Sequence, residues 1–162
     1  MAETPAAGAK APDFSLMGDD GRKVSLKDFR GKKLVLYFYP KADTPGCTRE
    51  AIAFNGLKSA FARVETAILG VSADPVKAQD AFKRKHGLAI PLASDESHKM
   101  LADYGVWGKK SMYGRTFMGI IRATFLIGPD GRIARVWPKV KVDGHAEEVL
   151  AAATQLHAGK PI

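Results

Sequence analysis

The sequence predicts an α/β fold in which a mixed central β-sheet is flanked by helices on both faces. Three observations support this. Continuous apolar runs at residues 34–39 and 67–72 read as strands buried on both faces. Around them, segments with helical apolar spacing alternate with strands, the order of parallel β-α-β units. Late in the chain, residues 121–127 and 132–137 flank Gly128-Pro129-Asp130-Gly131, which signals an antiparallel hairpin.

The elements follow in order. After Ala11-Pro12-Asp13, residues 14–17 read as a short strand leading to a turn at Gly18-Asp19-Asp20-Gly21. Pro40 ends the strand over 34–39, and a loop over 41–44 follows. A helix is predicted from Pro45 to residue 63, because Ala53, Phe54, Leu57, Ala60, Phe61 and Val64 recur at helical spacing. Residues 67–72 form the second buried strand. Pro75 opens a helix that runs to His86 and stops at Gly87. Residues 88–93 read as a third short strand and 96–104 as a short helix. The stretch 105–119 has four glycines and no clear period, so it reads as a loop. A final helix covers 145–157, stopped by Gly159-Lys160-Pro161. A thioredoxin-like fold satisfies this order, although the order alone does not require it.

A chain of 162 residues suits one domain with a proper core, and the expected organisation is a loose tail over 1–10 and a single domain over 11–162. With 46% hydrophobic and 26% charged residues, the composition is that of an ordinary soluble protein. No apolar run approaches the roughly 18 to 20 residues that span a bilayer. Residues 1–10 lack an apolar signal core, so a cytoplasmic protein is expected. The net charge of +8 and pI near 9.6 admit an acidic partner such as nucleic acid or anionic lipid. The charges are scattered, however, and the densest group, Lys109, Lys110 and Arg115, falls in the predicted loop without any nucleic-acid-binding motif. A solvated basic surface is the preferred reading, with no specific nucleic acid and no membrane as partner. One cysteine and four widely spaced histidines offer no metal-ligand spacing, so neither a metal nor another cofactor is expected.

Most lone cysteines are buried small hydrophobes. The place of Cys47 sets it apart. Thr44-Pro45-Gly46-Cys47 lies where a buried strand has ended and a helix begins. Thr44 suits the N-cap, Pro45 the first helical position, and Cys47 then falls in the first turn. Backbone N–H groups there lack intrahelical partners and the helix dipole favours an anion, so helix N-termini hold reactive cysteines well below their ordinary pKa of about 8.5. Thr44 and Cys47 also occupy the two positions of a Thr-x-x-Glu capping box, with a thiolate in place of the carboxylate. Gly46 leaves the approach beside the sulfur open.

Pro40-Lys41-Ala42-Asp43-Thr44-Pro45-Gly46-Cys47-Thr48 resembles the P-x-x-x-T-x-x-C signature of peroxiredoxins, in the T-P-G-C-T form of their bacterioferritin-comigratory, or Q-type, branch. Ala11-Pro12-Asp13-Phe14 is similar to the family's opening strand, and Gly119-Ile120-Ile121-Arg122-Ala123-Thr124-Phe125 to the segment with its active-site arginine. The stretch from Val136-Trp137-Pro138 to Val149-Leu150 is similar to that branch as well. The resemblance implies a thioredoxin-like fold and a thiol-dependent peroxidase that reduces hydrogen peroxide and organic hydroperoxides. It implies Cys47 as the peroxidatic nucleophile and Thr44 as a hydroxyl donor to the thiolate and peroxide. Pro40 would shield the sulfur, and Arg122 would be the cation beside it. Glu50, one turn after Cys47 on the same helical face, reads either as the residue that orients Arg122 or as a solvent-facing carboxylate. Tyr39 reads as a pocket wall or, more simply, as a core tyrosine.

The sequence departs from its branch at one point. Many Q-type enzymes carry a resolving cysteine five residues after the first, which is Ile52 here, and others place it around residues 80–85, where this chain has none. No intrachain disulfide can form, so the expected cycle uses one cysteine and an external thiol: thioredoxin, glutaredoxin or glutathione. A Cys47–Cys47 bond between subunits would require substantial unfolding of both sites. Gly108-Lys109-Lys110-Ser111 is a decoy for a phosphate loop, since Asp103 stands where that pattern needs glycine and Lys110 where it needs Ser or Thr. A dithiol oxidoreductase is excluded, because Thr44 and Glu50 occupy the positions three residues either side of Cys47. The rival reading is a non-enzymatic basic binding or holdase module on a peroxidase scaffold. Monomer and weak homodimer both stay open. Trp107, Met112, Tyr113, Phe117 and Met118 either pack the predicted loop onto the core or line a substrate-accessible or subunit-contact surface.

Overall fold

The computed structural model describes residues 4–159. The chain opens with a hairpin of β1 (Ser15–Gly18) and β2 (Lys23–Ser25), then a 3-10 turn over Leu26–Phe29. Next come β3 (Lys33–Phe38), α1 (Pro45–Gly56), α2 (Lys58–Arg63), β4 (Thr66–Ser72), α3 (Val76–His86) and β5 (Leu92–Ser94), which make two parallel crossovers. The remainder is α4 (Lys99–Asp103), β6 (Trp107–Met112), β7 (Arg115–Ile120), β8 (Ala123–Ile127), β9 (Ile133–Trp137) and α5 (His145–His157). Seven strands form one mixed sheet in the order β2-β1-β5-β4-β3-β8-β9, while β6 and β7 pair only with each other.

The continuous apolar run of β3 lies at the middle of this sheet, and each of its residues is buried. Alternation sends Leu34, Leu36 and Phe38 to the face covered by α4, and Val35, Tyr37 and Tyr39 to the face covered by α1, α2, α3 and α5. Phe54, Phe61 and Phe82 are fully or almost fully buried on that second face, each contributing about 1.5–3 kcal/mol of apolar burial. β3 pairs antiparallel with β8 in a register that sets Phe38 opposite Ala123. That register brings Arg122, the residue just before β8, to the end of β3 from which the chain turns into α1. The fold thus joins the two halves of the predicted site.

Several elements differ from expectation. Residues 105–119 are not a loop but the β6–β7 hairpin, paired from Trp107↔Ile120 to Met112↔Arg115. Its turn residues Tyr113 and Gly114 have φ of 53° and 76°, as a two-residue I′-type turn requires. Most of the ribbon is exposed, so no apolar alternation marks it in the sequence. Met112, Tyr113, Phe117 and Met118 accordingly do not pack onto the core. Trp107 does find a partner, stacking on His98 with ring centroids 4.0 Å apart.

The helix expected over 45–63 breaks at Leu57 (φ −102°, ψ 6°), directly after Gly56, a poor helix former. The third strand narrows to β5, because Pro91 has no N–H for the ladder and only accepts a bond from Gly70 N at 3.2 Å. The short helix begins late, since His98 takes a left-handed φ of 67°. The N-terminal tail is tied down from Gly8 onward: Gly8 N and Ala11 N donate to the carbonyls of Ile133 and Gly131 at 2.8 and 2.9 Å. Residues 1–3 of that tail, and Lys160-Pro161 of the predicted helix stop, lie outside the described residues. No helix among the described residues is long and apolar enough to cross a membrane.

Candidate active site

Helix α1 starts at Pro45, which needs no N–H partner there, after an extended Thr44 (φ −98°, ψ 156°). The side chain of Thr44 does not cap the helix, contrary to the sequence reading. Its hydroxyl instead donates to the carbonyl of Lys41 at 2.7 Å. Cys47 therefore does not complete a capping box with Thr44. The loop folds back on itself through a left-handed Asp43 (φ 61°), and that turn sets Lys41 rather than the helix amides against the Thr44 hydroxyl.

This loop is pinned to the sheet and to α3. Asp43 bonds His86 at 2.9 Å and Lys85 at 2.8 Å, and these partners hold its carboxyl below the usual value. Ala42 N donates to Asp74 Oδ2 at 2.8 Å, and Ser72 Oγ to the same oxygen at 2.6 Å. Gln79 Nε2 donates to Ser72 Oγ and to the carbonyl of Ala93, both at 2.8 Å, while Gln79 Oε1 accepts the hydroxyl of Tyr39. Tyr39 is thus a buried core tyrosine that anchors the loop, and it belongs to the same packed cluster as Cys47. Pro40, next to it, is half-buried.

Cys47 itself is only 1% exposed. Arg122 spans the site: its Nη2 donates to Cys47 Sγ at 3.3 Å and its Nη1 to Glu50 Oε1 at 2.7 Å. A Cβ on residue 46 would stand 3.2 Å from Nη2, so Gly46 gives the guanidinium its room. Arg122 is fixed from behind as well, where its carbonyl accepts Val140 N at 2.9 Å. Glu50 is 1% exposed, which excludes the solvent-facing reading. Burial raises its carboxyl to about 7, against the opposing pull of Arg122. Burial works against the Arg122 charge too, but Glu50 and Cys47 outweigh it and raise the guanidinium further.

Sequence reasoning missed the layer beneath. The Tyr37 hydroxyl and Glu50 Oε2 are both buried without a hydrogen-bond partner. The Tyr37 ring stacks on Phe54 at 4.7 Å and lies flat over Gly70, where a Cβ would come within 2.7 Å of it. The signals were a tyrosine inside an aliphatic strand and a glycine inside β4. Thr124, two residues after Arg122 and on the same strand face, has its Oγ1 2.8 Å from His145 Nε2. His145 packs edge-on against Phe54 and Trp137, and burial lowers its pKa to about 4, so it is neutral at pH 7. Among the described residues, no group of three or more His, Cys, Asp or Glu side chains is placed to hold a metal.

A thiol at a helix N-terminus, held by a guanidinium that a buried carboxylate fixes in turn, is equipped to carry negative charge on sulfur and to pass it to a departing oxygen. The AhpC/TSA family model matches residues 7–136. The chain belongs to the AhpC/TSA family. Among curated relatives, a putative peroxiredoxin bcp of Coxiella burnetii is 49% identical over 143 residues, covering 88% of this chain and 95% of that protein. Among solved structures, a cysteine-to-serine mutant of Xylella fastidiosa PrxQ superposes with a TM-score of 0.89 at 39% identity, covering 98% of this chain and 99% of the other. The bacterioferritin comigratory protein of Xanthomonas campestris, described for its alkyl peroxide reduction activity, gives 0.86 at 41% identity, with 97% and 99% covered. This chain is therefore a peroxiredoxin of the Bcp/Q-type branch with a thioredoxin-like fold, and a thiol-dependent peroxidase that takes a peroxide substrate and a thiol reductant. Neither the site nor these relatives favour the non-enzymatic binding or holdase reading.

Proposed function

We propose that Cys47 is the peroxidatic nucleophile of a one-cysteine cycle that reduces hydrogen peroxide and organic hydroperoxides. The Cys47 thiolate attacks the terminal oxygen of ROOH; an S–O bond forms, the O–O bond breaks, and the departing alkoxide or hydroxide takes up a proton. Cys47 is oxidised to sulfenic acid and the peroxide is reduced to ROH. An external thiol then displaces water from the sulfenic acid to give a mixed disulfide, and a second thiol restores Cys47 and leaves as disulfide.

The observation that carries this reading is the single guanidinium that bonds both Cys47 Sγ and Glu50 Oε1. Arg122 supports negative charge on the sulfur and on the oxygen that leaves it. Glu50 acts through Arg122 and is a positioning residue. Pro40 covers the approach and limits water near the sulfur, while Tyr39 holds the loop from the core side. Thr44 serves the incoming peroxide: its hydroxyl proton is given to the Lys41 carbonyl, so its oxygen accepts a hydrogen bond from the hydroperoxide. Sulfenic acid reduction by an outside thiol follows from the single cysteine, Ile52 standing where many branch members carry the resolving one.

The test is steady-state peroxide consumption with thioredoxin, glutaredoxin or glutathione as reductant, each with its recycling enzyme. Turnover with at least one, lost in Cys47→Ser, is the expected result. No turnover with any of the three removes the external-thiol cycle.

A further inference from the structure

The β6–β7 ribbon plays no part in the cycle above. In its register, Lys110 faces Phe117 and Met112 faces Arg115 on one side, while Lys109 faces Met118 on the other. The first side is turned toward the active site. Lys110 Nζ donates to the carbonyl of Ile120 at 2.9 Å, two residues before Arg122. A Cβ at Gly119 would lie 3.0 Å from Lys110 and 3.4 Å from Phe117, so both side chains lean over that glycine toward the root of the ribbon. The ammonium of Lys110 is near enough to register the charges of Arg122 and Cys47, after burial the main influences on it.

The same side is apolar as well as cationic. Met112 and Phe117 are 56% and 43% exposed. At the tip, Tyr113 is 96% exposed and sits at φ 53°, a left-handed conformation that a non-glycine residue adopts at a cost. Aromatic residues, Met and Arg are the types enriched in protein interfaces, and a cluster of them held in water marks a contact surface.

We propose that this face of the ribbon docks the reductant, an acidic protein with an exposed thiol, and presents that thiol to Cys47. The inference rests on the external-thiol reading. Charge selects the partner: residues 104–129 contain no Asp or Glu, but they hold Lys109, Lys110, Arg115 and Arg122. A second copy of this chain, at a net charge of +8, would bring like charges together on that face. A small hydroperoxide needs a concave site, and a two-stranded ribbon exposed on both sides offers none.

The test separates docking from chemistry. A net-negative thioredoxin, with its reductase and NADPH, serves as protein probe, and dithiothreitol as a small neutral thiol. Arg115→Glu and Phe117→Ser lie at exposed positions. In Arg115→Glu at low salt, reduction of oxidised Cys47 by thioredoxin is expected to slow about tenfold or more. High salt should slow the wild type and erase most of that difference. Phe117→Ser should slow thioredoxin at both salt levels. Peroxide reactivity and dithiothreitol-driven turnover should be unchanged in both variants. Unchanged thioredoxin rates overturn the docking face and leave the cycle standing. So does a wild type that dithiothreitol reduces but thioredoxin does not, and so does an equal loss with both thiols. Salt-sensitive flotation with anionic phosphatidylserine vesicles, lost in Arg115→Glu while thioredoxin kinetics stay the same, assigns the face to a membrane instead. No turnover of the wild type with either thiol refutes the underlying cycle.

Discussion

Two buried groups, Glu50 beneath Arg122 and His145 against Phe54 and Trp137, have pKa values shifted in opposite directions, and this gives a quantitative prediction about acid stability. Glu50 holds its proton more tightly folded than unfolded, with a carboxyl raised from 4.5 to about 7 by burial. Its protonated form favours the fold, so this contribution is complete below about 4.5 and is lost as pH rises through about 7. His145 is the reverse: burial lowers it from 6.5 to about 4, ahead of smaller effects from Glu148, Arg122, Arg135 and Glu147. Its neutral form favours the fold, so this contribution is complete above about 6.5 and is lost as pH falls through about 4. Each displacement corresponds to up to about 3 kcal/mol. Between pH 4.5 and 6.5 the two nearly cancel, so the wild type should show only a shallow slope from this pair.

Substitution unmasks each group. In Glu50→Gln, unfolding free energy should fall by about 2–3 kcal/mol from pH 6.5 to 4.5, with His145 left alone. In His145→Gln it should rise by a similar amount from pH 7 to 4.5. Asp43, held below its usual value of 3.8 by His86 and Lys85, titrates below this range and does not disturb it. Urea unfolding followed by tryptophan fluorescence at closely spaced pH values measures all three profiles. If Glu50→Gln tracks the wild type across the whole range, the cancellation between a buried acid and a buried neutral imidazole is refuted.

Other perturbations probe the site piece by piece. Arg122→Lys keeps the charge but cannot bond Cys47 and Glu50 at once, and losing one charge-assisted hydrogen bond of about 1.5–3 kcal/mol should slow the peroxide step about 10- to 100-fold in stopped-flow kinetics. Gly70→Ala sets a methyl within 2.7 Å of the Tyr37 ring and should lower stability by about 1–3 kcal/mol in urea titrations, with a slower peroxide step because that ring backs Phe54 of α1. Ile52→Cys restores a cysteine at a site that is 49% exposed, whereas Cys47 is buried. Five residues rise about 7.5 Å along a helix, beyond disulfide reach, so the bond should form only with unwinding of α1, seen as a product two hydrogens lighter together with loss of far-ultraviolet helix signal.

The parts of the fold legible in the sequence were those whose burial forces a pattern. The runs in β3 and β4 are apolar without interruption because helices or loops cover both sheet faces. The Gly128-Pro129-Asp130-Gly131 turn marks the β8–β9 hairpin, and Gly159 follows the end of α5. The β6–β7 ribbon was not legible, since residues exposed on both faces are free of any period. The site divides the same way. Cys47 and Glu50 are joined by helix spacing, and Arg122 stands out by its segment, but their meeting depends on the β3–β8 register. Thr44 was misread as a cap because its hydroxyl had an equally local partner in Lys41. Tyr37, Gly70 and His145 are core residues in composition, and only packing shows that they form the floor of the site.

The most direct test mixes reduced protein with one equivalent of hydrogen peroxide and follows Cys47 by stopped flow and intact mass. Rapid conversion to a species one oxygen heavier, absent in Cys47→Ser and slowed in Arg122→Lys, is the predicted result. A rate no faster than that of a free thiol would contradict the account, since the Cys47–Arg122–Glu50 arrangement would then be present without activating the sulfur.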